Sequence, residues 1–135
     1  MSKQFSHQIK VYYEDTDSGG VVYYANYLKF LERARSEAIY ELGLTNKKLL
    51  EKYGILIIVK SCNINYKKSA RLEDKLNIFS SVKSITKTSL IMKQTIKRKE
   101  EIISESDVHL VIVNKEGKPT KIPKILETAF KKNIS

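Results

Sequence analysis

One early segment of this chain, and no other, carries an apolar stripe at helical spacing long enough to cross a sheet. Tyr27, Leu31, Ala34, Ala38 and Leu42 recur at intervals of three and four, which predicts a helix over residues 26–42. At ~1.5 Å per residue it is a rod of roughly 25 Å. The small Ala34 and Ala38 let such a helix lie close against a sheet, while Lys29, Glu32, Arg33, Ser36 and Glu37 face away. Gly43 stands where a helix C-terminus wants a residue free to turn. After residue 55 the period drops from 3.6 to 2, so a long helix is followed by a run of strands. That order predicts an α+β fold, an antiparallel sheet of about five strands with the helix over one face.

The strands can be placed from their alternation. Ile9, Val11 and Tyr13 alternate with Gln8, Lys10 and Tyr12 as a first strand over 7–13. A short second helix, capped by Thr45 or Asn46, ends at Gly54 with Leu49, Leu50 and Tyr53 inward. Ile55 to Val59 is a β-branched and leucine run that continues through Cys62 and Ile64 to Tyr66. Leu76, Ile78, Ser80 and Val82 mark the next strand, Leu90, Met92, Gln94 and Ile96 another, and Val108, Leu110 and Ile112 a third. The stretches 71–74, 86–88, 97–100 and 114–117 are the polar breaks and turns between them. Pro123 opens a short last helix with Ile125, Leu126, Ala129 and Phe130. Both alternating faces of 55–59 are apolar, so the side away from the helix needs its own cover, and a second subunit is the economical one.

At 135 residues the chain reads as a single domain over 1–135 with a core that needs no staples. Its one cysteine, Cys62, cannot form an internal disulfide, which suits a reducing compartment. The stretch Met1 to His7 has no apolar leader region, and no apolar run approaches the ~18 residues of a bilayer span. The expectation is therefore a cytoplasmic protein with no integral membrane segment. A net charge of +10 calls for an anionic partner. Nearly all of it is lysine, Arg33, Arg35, Arg71 and Arg98 being the only arginines, and there is no tryptophan to stack on a base. A solvated basic surface ranks first, a phosphorylated small molecule next, and nucleic acid last.

Between the first strand and the long helix lie Glu14, Asp15 and Asp17, beside the adjacent Gly19 and Gly20. Asp15, Asp17 and Gly20 fit three positions of a calcium loop, but Gly19 and Asn26 fail two others and the preceding element is a strand. His7 and His109 have no ligand spacing with the loop, so no metal is expected. Ser18 lacks a nucleophile elbow, Cys62 reads as a core residue, and His109 reads as a strand residue making a structural hydrogen bond. Three clustered acids most often form a solvated turn that caps a helix. The other arrangement stays open: amides from a glycine turn and a helix N-terminus can orient one carboxylate and polarise a carbonyl.

The unbroken motif Val11-Tyr12-Tyr13-Glu14-Asp15-Thr16-Asp17-Ser18-Gly19-Gly20-Val21-Val22-Tyr23, followed by Asn26-Tyr27-Leu28 and Glu32-Arg33-Ala34-Arg35, adds a resemblance. It closely resembles the hot-dog-fold acyl-CoA thioesterases, in the Tol–Pal-associated (YbgC-type) branch of the 4-hydroxybenzoyl-CoA thioesterase family. The resemblance implies a curved antiparallel sheet wrapped around one long central helix, and a homodimer or homotetramer with sites at the subunit interface. It implies hydrolysis of an acyl-CoA thioester to a free acid and CoA. Asp17 matches the catalytic carboxylate, as nucleophile or general base, and the backbone N–H of Tyr24 would polarise the thioester carbonyl. Many relatives carry histidine where this chain has Tyr24. Gly20 and Val21 are carried over as substrate-binding residues, and Lys87, Thr88 and Ser89 as contacts for the CoA phosphates. No cofactor is implied, coenzyme A being part of the substrate. The competing reading is a non-catalytic hot-dog module that binds acyl-CoA or acyl carrier protein.

Overall fold

The strands read from alternation build one five-stranded sheet. In the computed structural model, which describes residues 4–134, they are β1 (Phe5–Lys10), β2 (Ile55–Tyr66), β3 (Lys75–Ile85), β4 (Ser89–Arg98) and β5 (Glu101–Asn114). Met1, Ser2 and Lys3, which open the stretch read above for a leader, lie outside the described residues. The strand order is β1-β3-β4-β5-β2, and every neighbouring pair is antiparallel. The helices are α1 (Ala25–Glu41), α2 (Asn46–Tyr53) and α3 (Lys124–Lys131). Thr45 caps α2, its hydroxyl accepting the Lys48 N–H at 2.9 Å. Gly54 closes that helix at φ 67°, in the left-handed region that costs glycine nothing.

The first strand ends three residues earlier than its alternation predicts. One carboxylate oxygen of Asp15 accepts the Tyr12 N–H at 3.0 Å, and residues Tyr13–Asp15 close a 3-10 turn. A local side-chain acceptor thus outcompetes the ladder for that backbone.

α1 buries Tyr27, Phe30, Leu31, Ala34, Ala38 and Ile39, a wider stripe than the predicted one. Its N-terminal half joins Val11, Leu76, Ile78, Ile96 and Ile103 in one apolar cluster. Near its C-terminal end Ile39 joins a second cluster with Leu49 of α2 and Leu126 and Phe130 of α3. The expectation of one long central helix is met in part. α1 is the longest helix at 17 residues, but α2 and α3 share the cover because a single stripe is too narrow for both clusters.

A polar row also crosses the inner face of the sheet. Ser80, Gln94 and Ser106 lie side by side across β3, β4 and β5, and all three are buried. The Gln94 amide donates to the Leu31 carbonyl and to Ser80 Oγ, both at 3.0 Å, and Ser106 Oγ donates to the Gln94 carbonyl. Partners of this kind are what make a fully buried amide tolerable. At the sheet edge, β2 leaves Leu56, Ile58 and Val59 at 39–49% exposure, so the apolar second face read from the sequence is uncovered in the protomer. Among the described residues no helix is long and apolar enough to cross a membrane.

Candidate active site

The acidic stretch folds as a tight turn held from two sides. Thr16 and Val22 form a bridge, the Asp17 N–H donates to the Val21 carbonyl at 2.9 Å, and the Gly20 N–H donates back to the Asp17 carbonyl at 3.1 Å. Gly20 sits at φ 78° with open space where a Cβ would go, so the demand for glycine comes from the backbone alone. The Gly19 N–H donates to Asp17 Oδ1 at 2.8 Å, which steadies the carboxylate at the turn.

The three acids have three different fates. Asp15 is 7% exposed. Its side chain is spent on Tyr12, and its carbonyl accepts the Tyr23 N–H and Asn26 Nδ2 at 3.1 and 2.9 Å. It therefore ties the loop to the start of α1. Glu14 points to solvent, and Asp17 is exposed at the edge of a groove that Val21, Tyr23, Tyr24, Tyr66 and Lys67 also line.

A strap over residues 69–74 forms the other side. Val22 N–H donates to the Ala70 carbonyl at 2.8 Å, Leu72 N–H reaches the Gly20 carbonyl at 3.4 Å, and Val21 bridges Arg71. The Ala70 N–H in turn donates to the Tyr27 hydroxyl oxygen at 3.0 Å. Arg98 braces the far end, donating to the Ser69 carbonyl at 3.1 Å and to Asp74 at 2.7 Å, and pairing with Glu101. The Glu101 and Asp74 bonds hold the Arg98 guanidinium firmly charged, and the same bond keeps the Glu101 carboxyl below its usual range.

Tyr24 immediately precedes α1 with helical backbone angles. Among the described residues its N–H has no acceptor in the chain, as expected at a helix N-terminus. Tyr66 donates its hydroxyl to the Tyr24 carbonyl at 3.3 Å, and the rings of Tyr23, Tyr24, Tyr66 and Tyr27 follow one another at 4.9, 6.2 and 5.3 Å between centroids. Burial pushes the Tyr27 and Tyr66 phenols above the usual tyrosine value. The exposed Asp17 carboxylate and Tyr24, the residue whose helix N-terminal amide is unspent, thus line one aromatic-walled groove. Such an arrangement can orient an electrophilic carbonyl, take a proton, or attack.

Of the residues singled out from the sequence, Asp17, Val21 and Tyr24 line this groove, with Gly20 in the turn behind it. Lys87, Thr88 and Ser89 do not line it within the protomer. Lys87 and Thr88 lie in the β3–β4 turn and Ser89 opens β4; Thr86 Oγ1 accepts the Thr88 and Ser89 N–H groups and Lys87 is exposed. Tyr27 and Tyr66, read from the sequence only as helix and strand residues, and Lys67 and Lys68 were not expected at the site; they reach the groove through the pairing of β2 with β5 and the packing of α1. Cys62 is half-buried and burial raises its thiol, as for a core residue. The hydrogen bond expected of His109 is not formed among the described residues; the side chain lies half-buried between Ser61 and Ile91.

The sheet order, the helix over it and the acidic turn at that helix's start define an α+β protein of hot-dog type. The chain belongs to the Thioesterase-like superfamily, whose family model matches residues 11–130. It is 38% identical over 127 residues to the acyl-CoA thioesterase YbgC of Haemophilus influenzae, covering 93% of each chain. It is 36% identical over 129 residues to the acyl-CoA thioester hydrolase YbgC of Escherichia coli, covering 94% of this chain and 96% of that one. Among solved structures it superposes on a probable thioesterase from Bartonella henselae with a TM-score of 0.86 at 32% identity, covering 90% of this chain and 100% of that one. A 1,4-dihydroxy-2-naphthoyl-CoA thioesterase from Synechocystis shares the fold, with a TM-score of 0.88 at 20% identity over 96% of each chain.

Proposed function

We propose that the protein hydrolyses the thioester of an acyl-CoA to a free carboxylic acid and coenzyme A. The observation that carries this reading is the division of labour in the acidic turn. Asp15 is buried and consumed by the loop, whereas Asp17 stays exposed and lines the same groove as Tyr24, whose N–H opens α1 without an acceptor among the described residues. The curated relatives that match nearly the whole chain are named for the same reaction.

In this reading the thioester carbonyl oxygen accepts the Tyr24 N–H, and the positive end of α1 favours the charge that develops there. Asp17 then either attacks the carbonyl carbon, expelling the CoA thiolate and leaving an anhydride for water to cleave, or takes a proton from the attacking water. A thioester has weak resonance stabilisation and a good leaving group, so the reaction needs no metal and no cofactor beyond the coenzyme A of the substrate itself. Tyr24 acts through its amide, which leaves its ring to shape the groove.

Lys87, Thr88 and Ser89 would meet the CoA phosphates, a role suited to the exposed Lys87 and to the net charge of +10. Because this turn and the Asp17 groove are separate within one protomer, the complete site would need a second copy of the chain. The exposed apolar residues of the β2 edge supply a surface for one. Light scattering reads the resulting dimer or tetramer directly.

The decisive experiment is steady-state CoA release from short-chain, long-chain and aromatic acyl-CoAs by the wild type and Asp17→Asn. A loss of about 10²-fold or more in the folded variant is expected. Wild-type rates in that variant would remove Asp17 from the chemistry. Tight acyl-CoA or acyl carrier protein binding with no turnover across the panel would instead favour the binding module.

A further inference from the structure

The Asp17 groove carries charge besides Asp17 itself. Most of its wall is aromatic or aliphatic, and Lys67 and Lys68 are the only cations among its described lining residues. Leu56, Ile58 and Val59, the β2 residues offered above to a second copy, do not line it.

Neighbours in a strand point to opposite faces, so one groove should receive at most one of two consecutive lysines. The backbone departs from that alternation. As the chain leaves β2 after Tyr66, the N–H groups of Lys67 and Lys68 both donate to the Ile103 carbonyl, at 2.8 and 3.1 Å. Both residues are exposed and both line the groove. The residues that follow hold the bend in place. The Ser69 carbonyl accepts from Arg98 at 3.1 Å, and Ala70 is buried between its bonds to Val22 and Tyr27.

Neither ammonium is firmly spent. Lys67 makes no ion pair among the described residues. Lys68 stands 3.7 Å from Glu101, a carboxylate that Arg98 already engages, and an accessible contact of this kind holds a lysine weakly. Asp17 alone would repel an anionic substrate group. Two ammoniums against one carboxylate leave the groove with a net positive charge instead.

We propose that Lys67 and Lys68 receive an anionic group of the substrate, so that charge as well as chain length decides which thioesters this groove accepts. The inference rests on the reading of the groove as a thioester site. Two groups have the required chemistry: a carboxylate at the far end of the acyl chain, or a phosphate of coenzyme A.

The test compares adipoyl-CoA, hexanoyl-CoA and hexanoyl-pantetheine, which differ in the distal carboxylate and in the phosphates. Kd is measured by calorimetry in the Asp17→Asn background, and kcat/KM in its absence. Replacing both lysines, Lys67→Gln with Lys68→Gln, should weaken adipoyl-CoA about tenfold more than hexanoyl-CoA when the acyl carboxylate is the group received. It should weaken hexanoyl-CoA about tenfold more than hexanoyl-pantetheine when a phosphate is. Either difference should shrink between about 50 and about 500 mM salt. Lys67→Arg with Lys68→Arg, which keeps both charges, should restore most of it. Equal weakening of all three ligands in the folded double glutamine variant overturns the proposal, and so does no weakening. A preference indifferent to salt overturns it, as does an absence of binding by all three at about millimolar concentration. Because Kd in Asp17→Asn needs no turnover, the lysine effect can stand where hydrolysis fails, and hydrolysis can stand where the lysine effect fails.

Discussion

Tyr27→Phe deletes one oxygen atom, and its effect can be worked out from the contacts of that atom. The hydroxyl oxygen accepts the N–H of Ala70 at 3.0 Å. Ala70 is 0% exposed and Tyr27 is 2% exposed, so no water can take the lost place. The phenyl ring itself is retained, along with its edge contacts to Phe30 and Tyr66, so no cavity larger than the oxygen is created. What remains is a buried backbone donor without an acceptor, which costs about 1–3 kcal/mol. At about 2.1 cal/mol/K per residue, the unfolding entropy of this chain is about 0.28 kcal/mol/K. A central cost of about 2 kcal/mol therefore lowers Tm by about 7 °C. Calorimetry or thermal circular dichroism at fixed protein concentration reads the shift. The other peptide group of Ala70 receives the Val22 N–H, so a loosened strap should also lower kcat by slackening the turn that carries Asp17. A pH series adds an independent sign. Burial raises the Tyr27 phenol above its ordinary value near 10, so above that pH the unfolded chain gives up a proton that the folded chain keeps. Stability from this group is complete below pH ~10 and is lost as pH climbs beyond it, and Tyr27→Phe should flatten that part of the decline. A Tm within about 1 °C of wild type would refute the reasoning, because it would mean that the Ala70 donor is satisfied elsewhere.

Three further outcomes are expected. Gly20→Ala places a side chain at φ 78° in otherwise open space, so it should cost about 1–2 kcal/mol by denaturant titration and lower kcat/KM for acyl-CoA. Arg98→Met removes the bonds to Ser69, Asp74 and Glu101. A measurable loss of stability, discounted by solvent screening of these accessible groups, is expected by the same titration, with kcat reduced through the strap and partial rescue by Arg98→Lys. Thr45→Ala removes the cap on α2 and should cost about 1 kcal/mol by thermal melting.

Local interactions explain how much of this protein is legible in its residue order. The period-3.6 stripe of α1, the alternation along β3, β4 and β5 and the Thr45 and Gly54 limits of α2 each depend on neighbours a few residues away, so the chain alone reveals them. The acidic turn is legible for the same reason, since the Gly19 and Gly20 bonds to Asp17 span two or three residues. Even Ser80 and Gln94 announce themselves as polar residues at inward positions of apolar strands. Their partners do not. Gln94 reaches Leu31 across 63 residues and Arg35 across 59, and Tyr66 reaches Tyr24 across 42. No spacing rule covers such distances. The separation of Asp15 from Asp17 belongs to the same class: burial of one and exposure of the other follow from how Tyr23 and Asn26 fold back onto the loop. Packing, which sums contacts between distant segments, turned three similar acids into one structural brace, one solvated side chain and one exposed carboxylate lining the aromatic groove.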